Sequence, residues 1–388
     1  MDAPSDTTFL MAFLPWLHLK RPASVIGVTF RPVSIGKAGS PFGDQQEDIE
    51  RILSGYVDIK SRPVTTPTVA FVEQAGGSTW HLSHDDENRI TIAATLILLA
   101  GFSANTYHQS KSYVNSAAFE VVWQKFRRPA IWMALEVRRR DGYALDGGYK
   151  HGELKFTIPI QIRYPRPVDI DHALLDALTQ SHAKQRPVMD RLQTALSAFS
   201  IANSDSSMLS LLQELVWIAA AFEILLNTGS KCDSLGTTFA TKWRDFGTVT
   251  IKENSVSANP LNVRDQLRLN GQSEFVHRIW IEELCALRGM TMHGSPTEKK
   301  KTNWNVDQHR LMGVFVFPLL VKVLLHEEKY YSLTPDDIGS ARAVDKLLTT
   351  PDWNYRPEEH TSSEQSGWND VLDDQILLAD IEHNMKEL

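Results

Sequence analysis

The chain has 388 residues, 42% of them hydrophobic, which is enough for two or three domains with ordinary buried cores. Its formal charge of −7 is unevenly placed: Pro357 to Leu388 holds nine Asp or Glu and one Lys, and −7 less −8 leaves +1 for the rest, so an anionic partner for the body of the chain is not excluded. The two cysteines, Cys232 and Cys285, form no CxxC pair. That excludes a zinc ribbon or thioredoxin-type motif and points to reduced, packed thiols.

The N-terminus places Asp2 and Asp6 before its apolar run, unlike the basic start of a secretion signal. Strands are predicted at Val25–Phe30, Thr68–Val72 and Leu154–Ile162 from their β-branched and aromatic content. Helices are predicted around Asp48–Ser54 and Ser116–Lys125, while Ile131–Arg140 suits either type. Gly76-Gly77 and Gly147-Gly148 punctuate the region. Residues 1–166 therefore read as a mixed α+β domain of unknown role. Two greasy runs, Ile90–Ala104 and Gly313–Leu325, fall short of the ~18–20 residues a spanning helix needs. The expectation is a cytoplasmic protein with no membrane partner.

Tyr164-Pro-Arg-Pro167 marks the boundary, and beyond it the period becomes helical. Leu174, Leu175 and Leu178 form one stripe, and Pro187 opens a second helix with Val188, Leu192, Leu196 and Phe199. Ser206–Asn227 reads as a long helix apolar nearly all round, capped by Ser206 or Ser207 and followed by Gly229. A short helical patch is predicted at Phe239–Phe246 and a helix at Ser273–His293, stopped by Gly294 and Pro296. Asn305–Glu328 is a long helix with Pro318 inside it. Residues 167–333 thus form an all-α bundle, and residues 334–388 an acidic, partly disordered tail with a short amphipathic helix near Val371–Met385.

The stretch ALRGMTMHG, residues 286–294, carries the strongest chemical signal. Arginine can grip a phosphate with two parallel bonds, and histidine can move a proton near neutral pH. On a straight helix, positions five apart differ by ~140°, so Arg288 and His293 do not share a face. Either the helix loosens before Gly294 or the two serve a cleft shared with a second protomer. Glu223, in AAAFEILLN, is a carboxylate on an apolar helix and needs a partner: Arg288, or Lys242 or Arg244. Lys299, Lys300 and Lys301 offer positive charge to an RNA backbone, and Trp304 a surface for stacking or packing.

With AAAFEILLN and ALRGMTMHG in order on such helices, the region of about 170–330 resembles the Apea-like branch of the HEPN superfamily. The resemblance implies a HEPN-like bundle that forms a homodimer and cleaves RNA without a metal or other cofactor, in a toxin-like or antiphage-defence role. On that reading Arg288 and His293 are the catalytic pair, Glu223 supports Arg288, and residues 1–166 bind an unknown trigger. Gly289 departs from the polar residue that active members often place after the arginine. The alternative is a catalytically inactive HEPN-like module that dimerises and binds RNA or protein. Two weaker metal readings rest on Glu153 and Lys155 with Asp141 and Asp146, and on His81, His84, Asp85 and Asp86. No GxxxxGK[ST], GxGxxG or GxSxG motif occurs to support a nucleotide-binding or serine-hydrolase reading.

Overall fold

The computed structural model describes residues 7–35, 46–72, 82–104, 114–128, 132–138, 144–150, 154–162, 167–246, 250–251, 274–294, 302–349 and 367–387. The chain divides into two compact units, residues 1–105 with 114–179, and residues 180–388 with 106–113.

The first unit is built on a seven-stranded antiparallel sheet. Its strands are β1 (Thr7–Leu14), β3 (Ala23–Val25), β4 (Val28–Pro32), β6 (Thr68–Val72), β7 (Val122–Arg128), β8 (Trp132–Arg138) and β9 (Ala144–Lys150), in the order β3-β4-β6-β1-β7-β8-β9. Short parallel pairings join β2 (His18–Leu19) to β11 (Pro167–Val168) and β5 (Tyr56–Val57) to β10 (Phe156–Thr157). The stretch predicted as one strand, Val25–Phe30, is a hairpin. Val25 pairs with Val28, and the two residues between them, Ile26 and Gly27, have φ of 45° and 76°. Positive φ at both central residues gives the twist that suits a two-residue hairpin.

Helix α1 (Gln46–Leu53) lays Ile49, Ile52 and Leu53 into a core with Met11, Phe13, Tyr56 and Val69. Helix α2 (His84–Ala104) packs against β3, β4 and β6. Asp86 caps its start: its Oδ2 accepts from the Ser83 amide at 3.0 Å and from the Ser83 hydroxyl at 2.7 Å. The predicted helix Ser116–Lys125 is corrected to one 3₁₀ turn, Ser116–Phe119, followed by β7. Val121, Val122 and Trp123 favour a strand once the β1 edge is there to pair with.

Helix α3 (His172–Ala183) leads from the first unit to the second. The second unit holds α4 (Pro187–Ala202), α5 (Leu211–Leu226), α6 (Cys232–Trp243), α7 (Val276–Met292), α8 (Val306–Glu327), α9 (Pro335–Leu348) and α10 (Trp368–Glu387). A two-residue pair, β12 (Thr250–Ile251) with β13 (Glu274–Phe275), precedes α7. Helix α5 lies centrally, packed on α4, α6, α7 and α8. Its Phe222 ring meets Phe239, Trp280 and Phe317 edge-on, with centroids 5.5–6.2 Å apart. Gly313 on α8 lets α5 come close, since a Cβ there would lie 2.5 Å from Ile218 Cγ2.

The α5 start lies later than Ser206 or Ser207. Ser210 is the cap, with Gln213 three residues on completing a reciprocal box. Helix α6 is longer than the predicted patch, and α9 lies in the stretch expected as an acidic, partly disordered tail. Helix α8 is long and apolar enough to cross a membrane, but most of it is buried within its own unit, as a core helix would be.

Polar and charged side-chain pairs tie the helices together. His277 Nδ1 of α7 lies 2.9 Å from Asp345 Oδ1 of α9, and His309 Nε2 of α8 lies 3.0 Å from Glu283 Oε1 of α7. Lys322 of α8 reaches Asp337 of α9 at 2.6 Å, and Arg310 of α8 reaches Glu214 of α5 at 2.5 Å.

Candidate functional site

Helix α7 remains regular through Met292 and then stops. His293 is its C-cap, its amide donating to the Gly289 carbonyl at 3.1 Å, and Gly294 turns left-handed at φ +66°. Glycine suits this position because a side chain would strain a positive φ. The helix therefore does not loosen before Gly294. Arg288 and His293 keep the angular offset read from the sequence: Arg288 turns toward α5, and His293 is exposed at the helix end.

Arg288 is held from two sides. Its Nη1 lies 2.9 Å from Glu223 Oε2, and its Nη2 reaches the Ser230 carbonyl at 3.5 Å. Of the partners considered for Glu223, the structure selects Arg288; Lys242 pairs instead with Glu327 of α8 at 2.6 Å. Burial pushes the Glu223 carboxyl above the ordinary glutamate range, and the nearby guanidinium pulls it back only part of the way. Desolvation is thus the larger effect even with the counter-charge in contact. The Arg288 Nε–H is buried and meets no acceptor among the described residues, so the guanidinium retains an unmet donor.

Cysteine chemistry at this place was not legible from the sequence. Cys232 and Cys285, expected as reduced thiols, are bridged, with their Cα atoms 5.4 Å apart. The bridge joins the first residue of α6 to α7, one turn before Arg288, and Cys285 Sγ lies 3.5 Å from Glu223 Oε1. A separation of 53 residues leaves no spacing pattern that would have signalled it.

Lys299, Lys300 and Lys301 lie outside the described residues. Downstream, Glu283 of α7 accepts from the Asn303 and Trp304 amides at 3.0 and 3.2 Å, which fastens these two residues to α7. Trp304 is buried and donates its ring N–H to the Leu348 carbonyl at 3.2 Å, a packing role and no stacking surface. Glu153, Asp141 and His81 lie outside the described residues, and Asp146 lies on β9. Among the described residues no group of three His, Cys, Asp or Glu is placed to hold a metal, and Asp86 is occupied in capping α2. A cavity of about 270 Å³ lined by Asn203, Asp205, Ile218 and Arg310 contains none of the residues singled out from the sequence.

Comparison of the chain with protein-family models, with curated proteins and with solved structures finds no match.

Proposed function

We propose that the protein is a metal-independent endoribonuclease of HEPN type, acting as a homodimer in the cytoplasm with a toxin-like or antiphage role. The observation that carries the reading is the Glu223–Arg288 pair beside a helix end that presents His293 to solvent. A guanidinium fixed by a buried carboxylate is pre-set to receive a phosphate. In the reaction, the substrate's 2′-oxygen bonds to phosphorus as the bond to the 5′-oxygen breaks. His293 moves a proton, taking it from the 2′-hydroxyl or returning it to the leaving oxygen. Arg288 balances the charge on the equatorial oxygens. Because Arg288 and His293 diverge on one α7, the reading requires the His293 of a second copy to complete the site.

The test is incubation of the purified protein with labelled RNA, with and without EDTA, beside Arg288→Ala and His293→Ala. Cleavage that persists in EDTA, is lost in both variants and yields cyclic 2′,3′-phosphate ends is the expected result. Ends bearing only 3′-hydroxyl, or cleavage lost in EDTA, would refute it.

One observation favours a non-catalytic binding module. Gly289, beside Arg288, supplies no polar group and has open space where its side chain would be. RNA bound by intact dimers but never cut would establish that reading.

A further inference from the structure

The disulfide and Arg288 share their surroundings. Glu223 faces both, with Oε2 on Arg288 and Oε1 on Cys285 Sγ. The Ser230 carbonyl, which receives the second Arg288 bond, lies two residues before Cys232. The connection from α5 to α6 is short and held at both ends. Asn227 turns left-handed at φ 54° to close α5, and Cys232 is bridged to α7 as α6 begins. Cys285 is fully buried while Cys232 is half-buried, so a reductant meets the Cys232 sulfur first.

We propose that Cys232 and Cys285 form a reversible redox modification site that governs the reach of Arg288: a dithiol reductant opens the bridge and releases the Ser230 contact to the guanidinium, and oxidation restores both. The ligand this exposes is an anion of the phosphodiester class, an assignment that rests on the ribonuclease reading above. The exchange balances as follows. A thiolate of the dithiol bonds to Cys232 Sγ, the Sγ–Sγ bond breaks, and Cys285 leaves as thiolate and takes a proton beside Glu223. The second thiol of the reductant then displaces Cys232, closing a cyclic disulfide. Two electrons and two protons pass to the protein.

Two consequences reach Arg288. Freed of the bridge, the start of α6 no longer holds Ser230 against the guanidinium, and the 3.5 Å bond there is the weaker of its two. The new Cys285 S–H, 3.5 Å from Glu223 Oε1, becomes a donor to the carboxylate that Arg288 now has to itself. A reducing cytoplasm keeps the site open, and oxidation shuts it.

The experiment follows Arg288 directly, without RNA. The whole chain is reacted with phenylglyoxal, an arginine reagent, in oxidised and in reduced glutathione or dithiothreitol, and labelling of Arg288 is read by peptide mass spectrometry. Alkylation of Cys232 and Cys285 reports the bridge in the same samples. Labelling should rise about two- to tenfold on reduction, the range of one ordinary hydrogen bond released. Cys232→Ser should label at the reduced rate in either buffer. If that variant does not fold, cycling the native chain through reduction and reoxidation must lower the labelling again. Unchanged labelling with both thiols shown free, or thiols that stay free in the oxidising buffer, would overturn the proposal. RNA cleavage separates this idea from the one beneath it. Redox-dependent labelling with RNA intact in both states leaves the latch and removes the nuclease, whereas cleavage with labelling unchanged does the reverse.

Discussion

Replacing Arg288 with alanine isolates the electrostatics of the site. The variant strands Glu223, a buried carboxylate already pushed upward by desolvation. Removing one partner of a fully buried pair costs about 3–5 kcal/mol. Here the Arg288 side chain is 20% exposed and that of Glu223 9%, which moves the cost toward a charge-assisted bond, about 2 kcal/mol. That is roughly a thirtyfold drop in the folded-to-unfolded ratio. The pH dependence has a definite sign. The folded pKa of Glu223 lies above its ordinary 4.5, so this group's stabilising share is fullest below 4.5 and is lost as pH rises through the folded pKa. Losing Arg288 raises that pKa further. The penalty of Arg288→Ala should therefore be larger at neutral pH and shrink as pH falls toward 4.5 and the carboxyl takes up its proton, which it does earlier without the arginine. Adding Glu223→Gln should recover most of it at neutral pH. Urea unfolding of the native chain and both variants at pH 7 and pH 5 measures this. Equal penalties at the two pH values, or a double variant no better than Arg288→Ala, would refute the reasoning.

Gly339→Ala should loosen α10, because the added Cβ would sit 2.5 Å from Ile376 Cα; that backbone would have to retreat by about 1 Å, at a cost of about 1–3 kcal/mol. Faster amide exchange across α10, with α5 unaffected, is the expected signature. Trp368→Ala removes a fully buried ring packed edge-on against Phe315 and should cost about 3–5 kcal/mol in urea unfolding. Asp345→Ala strands His277, whose ring is fully buried between Phe275 and Phe239, and should destabilise more than His277→Phe with Asp345→Val, which removes the pair together. Thermal melts of the two variants rank them.

Some of this was legible in the sequence for local reasons. Pro187 opens α4 and Gly294 closes α7, because each residue acts on its own backbone. The Glu223–Arg288 contact was one of three pairings that the sequence allowed, since a lone carboxylate on an apolar helix advertises a need without naming what meets it. Helix α9 escaped notice because its buried face is largely small or charged, with Ala341, Ala343, Asp337 and Asp345. Its acids are matched by Lys322 and His277 on other helices, which no local pattern reveals. The 3₁₀ turn and strand at residues 116–128 follow from pairing with β1, more than a hundred residues earlier. The α5 cap turned on which of several serines has glutamine three residues on.

Three of the buried pairs involve α7: Glu223 with Arg288, Asp345 with His277, and His309 with Glu283. They reach helices α5, α9 and α8 in turn. A rod keyed to three neighbours at separate heights can neither roll nor slide without breaking several polar contacts at once. Movement in this part of the unit thus falls to the connections at the ends of α7.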